Sequence, residues 1–184
     1  ELSHCKSKLY PEPIPHTTKP MHIPFSFSKD QVECNFKSLK DGELYDIASA
    51  FYGDAIEFAS NEHYGPATQI ISPYPPLSMF DGLESARSRE EGHYDEVVIK
   101  FLKSVSIETI EVDFTYFVNN NPLDIEVFGR IGTDFIELAT KQRVKGFAGK
   151  KKAFSIKSDH KFDGIKIKCI PDGGMNRVKV FTIK

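Results

Sequence analysis

The feature that most limits the fold of this chain is a series of short segments in which apolar and polar residues alternate. In the segment 107–118 one face would carry four apolar side chains, Ile110, Val112, Phe114 and Tyr116. A period of two residues is the period of a β-strand, whose successive side chains point to opposite faces. Comparable segments occupy 96–102, 124–128, 135–139, 153–157, 164–170 and 177–183. Many short strands separated by Gly, Asn and Asp predict an all-β sandwich or barrel.

We expect residues 45–184 to form one domain with two antiparallel sheets packed face to face, because each strand has one apolar face to bury. The last two segments are joined by Pro171-Asp172-Gly173-Gly174, whose composition predicts a tight connection. The side chains predicted to lie between the sheets are Ile110, Val112, Phe114, Ile165, Ile167, Val178 and Val180.

The first 44 residues differ from the rest. Five prolines interrupt the first 24 positions, and no helical or strand period survives between them. We expect residues 1–44 to be an extended, proline-containing N-terminal segment or linker with little regular structure, or the remnant of a neighbouring domain. A helix is expected only near 41–50.

Composition excludes several classes of partner. The formal charge of −2 gives no basic surface for a phosphate backbone, so we expect no nucleic-acid partner. No apolar run reaches the roughly 18 residues that cross a bilayer, so we expect no membrane partner. Cys5, Cys34 and Cys169 are odd in number and widely spaced, which fits neither a disulfide framework nor a zinc site. Reduced thiols and the absence of a signal-peptide pattern predict a cytoplasmic protein.

Polar residues are densest between Ser60 and Asp95. Arg87 and Arg89 are two residues apart, so in an extended segment both would point to one side and form a fork for a carboxylate ligand. The cluster also offers proton donors and acceptors: Glu62, Asp81, Glu84 and His93. From composition, two interpretations are open. The residues either line a binding site or coat a solvated loop with weak surface ion pairs.

The order of the motifs resembles the allantoicase repeat. The likeness covers about Asp46 to Phe181, three quarters of the chain, in the register of the second of the two repeats that such enzymes carry. The motifs are Ser60-Asn61-Glu62-His63-Tyr64-Gly65, then Met79-Phe80-Asp81-Gly82-Leu83-Glu84-Ser85-Ala86-Arg87-Ser88-Arg89, Gly92-His93-Tyr94-Asp95, Val112-Asp113 with Phe117, Asn120 and Pro122, and Ile170-Pro171-Asp172-Gly173-Gly174 with Arg177.

This resemblance implies an antiparallel jelly-roll β-sandwich of the galactose-binding-like type. It also implies hydrolysis of allantoate to ureidoglycolate and urea in purine breakdown. Carried over position by position, the implied catalytic residues are Glu62, His63, Asp81, Glu84 and His93. The implied substrate-binding residues are Arg87, Arg89, Asp113, Asn120, Asp172 and Arg177. No metal ligands are assigned, and a divalent metal is an open alternative for which His63 and His93 with Glu62 or Asp81 are the candidate ligands.

The chain also departs from the family pattern. Leu83 and Glu96 stand where the family has Trp, Ala86 where it has a basic residue, and Phe114 and Tyr116 where it favours Thr and His. These departures leave a second hypothesis, a binding module that retains the sandwich and recognises a carbohydrate, a small anion or a protein. A purely structural domain is a third. For the enzyme, the expected partners are a ureido-carboxylate substrate and either a second repeat or another copy of the chain.

Overall fold

The computed structural model describes residues 27–184, and β-strands dominate them. One α-helix, α1, spans Lys29–Ser38. The strands are β1 (Leu44–Asp46), β2 (Ala55–Ala59), β3 (Leu83–Glu84), β4 (Asp95–Val105), β5 (Thr109–Asp113), β6 (Asp124–Ile131), β7 (Asp134–Arg143), β8 (Lys151–Ser155), β9 (Phe162–Ile170), β10 (Gly174–Met175) and β11 (Arg177–Ile183). Short 3₁₀ turns lie at Ala50–Tyr52, Ala67–Ile71, Met79–Asp81 and Lys145–Phe147.

Two antiparallel sheets form the body of the fold. One has four strands in the order β1-β11-β5-β8, and the other has five in the order β2-β4-β9-β6-β7. In the first sheet Val180 lies opposite Ile110, and in the second Val97 lies opposite Ile167. This register places the apolar members of neighbouring strands on the same face, since a shift by one residue would turn them toward water.

The predicted core is confirmed. Each of the seven side chains expected between the sheets is at most 1% exposed. Val97, Ile99 and Phe101, the alternate apolar residues of the predicted strand 96–102, are buried as well. Burying a side chain of this size stabilises a fold by roughly 1.5–3 kcal/mol, so the alternating segments supply most of the apolar burial that holds the sheets together.

The prediction that one strand runs through 107–118 was wrong at its end. Strand β5 stops at Asp113, whose side chain accepts a hydrogen bond from the Thr115 amide at 2.8 Å. Tyr116 has a positive φ of 70° and is 48% exposed. A short polar side chain that binds its own backbone two residues on favours a turn, and this turn removes Tyr116 from the core face.

The last two strands are not a hairpin. β9 lies in the five-stranded sheet and β11 in the four-stranded sheet. The intervening segment therefore crosses from one sheet to the other and pairs through β10 with β3. The Pro-Asp-Gly-Gly composition predicts a tight connection, but it carries no information about which sheet the chain enters next.

The prediction of little regular structure through residue 44 was wrong for α1, as was the expectation of a helix only near 41–50. Residues 1–26, including the prolines, lie outside the described part of the chain. Ser28 starts α1 with a capping box in which its hydroxyl accepts from the Gln31 amide at 3.2 Å. Phe36 packs edge-on against Tyr45, and Asn35 donates to the Phe51 carbonyl at 2.8 Å. The helix is therefore packed on the sandwich.

Replacing Ser28 with Ala should lower the free energy of unfolding by about 1 kcal/mol, because the first turn loses the side-chain acceptor of its amide. Chemical denaturation followed by circular dichroism measures the change. The exposed Lys157→Ala variant is the control and should stay within about 0.5 kcal/mol of the parent. Equal stability of the parent and the Ser28→Ala variant would contradict the assignment of the cap.

In the described range, no helix has the length and apolar character needed to span a membrane.

Candidate functional site

A cavity of about 300 Å³ collects residues from four of the motifs. The motifs come from distant parts of the chain, and the sandwich brings their loops together around β3. The residues that line the cavity are Tyr64, Met79, Phe80, Glu84, Ser85, Arg87, Asn120, Asp172 and Gly173.

Strand β3 is the short element that carries Glu84 into this cavity. Its backbone is held on both sides: Glu84 pairs with Gly174 of β10 and bridges to Gly65. The Tyr64 amide also donates to the Glu84 carbonyl at 3.1 Å. Because both edges of β3 are hydrogen-bonded, the position of the Glu84 side chain is fixed by backbone contacts rather than by a free loop.

Glu84 is the acidic group of the cavity. The Asn120 side-chain amide donates to Glu84 Oε1 at 2.6 Å. Burial raises the pKa of the Glu84 carboxyl, while the Asn120 hydrogen bond and the charge of Arg87 act to lower it. A carboxyl with a raised pKa retains a proton at higher pH than an ordinary glutamate, which suits it to donate that proton to a leaving group.

The connection after β9 also lines the cavity, next to the β3 segment. Asp172 Oδ2 accepts from the Ser88 amide at 2.7 Å, and Ser85 Oγ accepts from the Gly173 amide at 3.0 Å. Gly173 has φ +132°, and a Cβ there would lie 2.8 Å from the Asn120 carbonyl oxygen. Only glycine fits this backbone and this close approach. These contacts hold Asp172 beside the segment that carries Arg87.

Asp81 and Arg177 form a buried ion pair next to the cavity and do not line it. Arg177 Nη2 lies 2.9 Å from Asp81 Oδ2, and the Arg177 side chain is only 2% exposed. Arg177 also donates from Nε to the Tyr74 carbonyl at 2.8 Å and from Nη1 to the Asp81 carbonyl at 2.7 Å. Burial lowers the pKa of Arg177, and the adjacent Asp81 carboxylate opposes that shift.

Other predicted site residues make contacts of their own outside the cavity lining. Glu62 and His63 are exposed, and Glu62 Oε1 accepts from the Ala67 amide at 2.6 Å. Arg89 is exposed and, unlike Arg87, does not line the cavity. Asp113 is buried in β5, where its side chain caps the turn that follows. Of the two exposed arginines, Arg87 lines this cavity and Arg89 does not, and the fork stays a prediction.

His93 belongs to a small polar cluster at the start of β4. Its Nε2 lies 3.2 Å from Asp95 Oδ2, and Ser60 Oγ donates to Asp95 Oδ1 at 2.8 Å. The serine and the histidine both contact the carboxylate, so this is not the serine–histidine contact that activates a nucleophile. Across residues 27–184, no group of three or more His, Cys, Asp or Glu side chains is arranged to hold a metal ion.

Sequence reasoning missed several residues that line the cavity. Tyr64, Met79 and Phe80 belong to the quoted motifs, but the motif resemblance assigns them no role. Their position beside Glu62 and Asp81 in those motifs was the available signal. The Trp-to-Leu departure is accommodated in the core, where Leu83 is 6% exposed. Glu96, at the other Trp position, lies 3.8 Å from Lys166 on the same sheet.

Comparison with known proteins gives consistent matches. The allantoicase repeat matches residues 45–184. A probable allantoicase of Pseudomonas fluorescens strain SBW25 is 29% identical over 191 aligned positions, which cover 97% of this chain and 55% of the relative. Neurospora crassa allantoicase is 29% identical over 149 positions, covering 76% of this chain and 42% of the relative. The chain thus spans about half the length of the curated relatives it matches.

Solved structures agree. Saccharomyces cerevisiae allantoicase superposes with a TM-score of 0.72 at 31% identity, covering 78% of this chain and 45% of that chain. The family 32 carbohydrate-binding module of Clostridium perfringens NanJ, solved with galactose, gives 0.60 at 13% identity, covering 76% of this chain and 99% of that one. At that identity the module shows the fold alone, and it confirms the predicted galactose-binding-like sandwich. Because the repeat covers about three quarters of the sequence, the chain belongs to the allantoicase family.

Proposed function

We propose that the chain is an allantoicase-like hydrolase that converts allantoate and water to ureidoglycolate and urea. The observation that carries the proposal is that Glu84, Arg87 and Asn120 line one cavity. The chain that holds this cavity is a member of the allantoicase family. One group has a raised pKa, one is cationic, and one is an amide. These are the three kinds of group that a ureido-carboxylate substrate needs.

Allantoate has a central carbon that carries one carboxylate and two ureido groups. Arg87 binds the carboxylate, because a guanidinium can donate two parallel hydrogen bonds to it. Asn120 binds a ureido group, whose carbonyl and N–H groups match a side-chain amide. Tyr64, Met79 and Phe80 supply the apolar wall that such a small polar ligand needs for orientation.

The reaction breaks one bond between the central carbon and a ureido nitrogen and forms a bond from that carbon to a water oxygen. Protonated Glu84 donates its proton to the departing nitrogen, so that neutral urea leaves. Asp172, which also lines the cavity, accepts a proton from the water that is added. The proton given and the proton taken balance, and the products are urea and ureidoglycolate.

Urea release from allantoate by the purified chain tests the proposal. Because the chain spans about half the length of its curated relatives, activity is measured over a range of protein concentration, which reveals whether a second copy is required. Release that is saturable in allantoate is the expected result. Binding of another ligand at this cavity without urea release would instead support a binding module. A cytoplasmic role in purine breakdown is part of the same proposal.

Arg87→Ala should lower kcat/KM for allantoate at least about tenfold, chiefly through KM, because the substrate carboxylate loses its cation. Arg87→Lys should be intermediate, since it keeps the charge but not the bidentate geometry. Steady-state kinetics of urea release measure both variants.

Arg89→Ala is the matched comparison, because Arg89 is exposed two residues away and does not line the cavity. Its effect should be smaller than that of Arg87→Ala, and the exposed Lys150→Ala should have none. Equal kinetics of the parent and Arg87→Ala would remove this arginine from substrate binding. Equal losses in both alanine variants would support the two-arginine fork.

A further inference from the structure

We infer that the buried Asp81–Arg177 pair is a positioning device that sets one wall of the cavity and does not touch substrate. The inference deepens the proposed function and rests on it. The motif resemblance implied catalysis for Asp81 and substrate binding for Arg177. The contacts that the two side chains make indicate a positioning role instead.

The first observation is that Arg177 donates its hydrogen bonds to groups of the protein. Arg177 reaches the segment 74–81 at three points: the Tyr74 carbonyl, the Asp81 carbonyl and the Asp81 carboxylate. It also donates to the Asn176 carbonyl at 2.7 Å. With its side chain 2% exposed and its donors directed into protein, Arg177 is turned away from any ligand in the cavity.

The second observation is that Asp81 organises the same segment from within. Its Oδ2 accepts both from Arg177 and from the Leu77 amide, the latter at 2.9 Å. The carboxylate therefore closes a loop of chain between residues 77 and 81 and fastens it to β11. A buried ion pair that also hydrogen-bonds to backbone groups recovers more of the cost of removing its charges from water than a bare pair does.

The third observation is the close backbone packing next to the pair. A Cβ at Gly82 would lie 2.5 Å from the Met175 carbonyl oxygen and 2.8 Å from Asn176 Cα. The chain after Asp81 therefore lies directly on the backbone that precedes Arg177. Backbone packing so close that it leaves no room for a Cβ gives the segment little freedom to shift while the ion pair is intact.

The consequence for the cavity follows from what this segment carries. Met79 and Phe80 precede Asp81 directly and line the cavity, and Met79 Sδ lies 3.8 Å from the Asn120 side-chain nitrogen. Asn120 in turn holds Glu84. A shift of the wall would move the surface against which substrate rests and disturb the amide beside Glu84, although neither Asp81 nor Arg177 touches the substrate.

The test uses two variants of similar shape, Asp81→Asn and Arg177→Lys, because removing either side chain completely would also leave a void and unsatisfied buried hydrogen-bonding groups. Each should raise KM for allantoate about tenfold while kcat falls less than about threefold, since a displaced wall weakens substrate placement more than proton transfer. Arg130→Gln is the matched control. It breaks the 3.0 Å contact of Arg130 with Glu57 and should lower stability without changing KM.

A second readout does not depend on catalysis. The sequence contains no Trp, so Phe80→Trp places a single fluorescent reporter in the wall. In this background Asp81→Asn and Arg177→Lys should lower the fluorescence anisotropy and increase quenching by acrylamide, whereas Arg130→Gln should do neither. The measurement works even if wild-type protein releases no urea, a result that would end the proposed function and leave the positioning role to be decided by fluorescence.

Two outcomes would overturn the inference. If Asp81→Asn and Arg177→Lys lower the unfolding free energy but leave the Phe80→Trp signal unchanged, the pair contributes only to the stability of the fold. A fall in kcat of about a hundredfold in Asp81→Asn, with KM and the reporter unchanged, would make Asp81 a catalytic residue.

Discussion

Glu84→Gln is expected to lower kcat for urea release from allantoate by about 10²–10⁴-fold, the usual contribution of a general acid. The variant keeps an oxygen acceptor for Asn120, which contacts the carboxyl at 2.6 Å, but it has no proton to give to the leaving nitrogen. KM should change little, because Arg87 still binds the substrate carboxylate. Steady-state kinetics with Glu137→Gln, an exposed change on β7, as the control measure the effect.

The pH dependence provides a second check on Glu84. Because its pKa is raised by burial, the acid form persists above the ordinary range of glutamate and is lost as pH rises through the raised value. The parent rate should therefore fall on the alkaline side, and that limb should disappear in the residual activity of Glu84→Gln. Retention of the same limb by the variant would assign the proton donor to another group.

The other large effect is on stability. Asp54 is 7% exposed, its Oδ1 accepts from the Leu102 amide at 3.0 Å, and Oδ2 has no hydrogen-bond partner in residues 27–184. Burial raises its pKa from 3.8 to about 9, with the Leu102 hydrogen bond acting in the opposite direction. The pKa of Asp54 is higher in the folded chain than in the unfolded chain. Its contribution to the free energy of unfolding is therefore complete below pH 3.8 and is lost as the pH rises through about 9.

Asp54→Asn should remove this dependence while keeping an acceptor for the Leu102 amide. The difference in unfolding free energy between Asp54→Asn and the parent should therefore shift in favour of the variant as pH rises from about 4 to about 9, and level off above it. Denaturant titrations across that range measure it. Asp159→Asn, an exposed change, should stay within about 0.5 kcal/mol of the parent. A difference that does not vary with pH would refute the assignment.

Local sequence alone was sufficient for much of the sandwich. Val97, Ile99, Ile110 and Val112 are buried as their alternation predicted, because a strand with one apolar face has one stable way to face water. Helix α1 was missed although its signal was present, since Ser28 and Gln31 have the spacing of a capping box. The five prolines in the first 24 positions hide this local pattern.

Four of the motifs contribute residues to one cavity. They could not predict which side chains face it. Arg87 and Arg89 have the same chemistry and lie two residues apart, yet only Arg87 lines the cavity, because backbone contacts at Glu84, Ser85 and Ser88 determine how that segment lies.

Sequence by itself thus located seven of the eleven described strands, the buried faces of the central ones and the family, all of which depend on local periodicity and on the order of motifs. Only the tertiary structure decided that β9 and β11 enter different sheets and that Arg177 is directed into the protein toward Asp81. The physical reason is that strand periodicity acts between neighbours in the chain. The burial of an ion pair depends instead on atoms 96 residues apart, which come within 2.9 Å only after the sheets have packed.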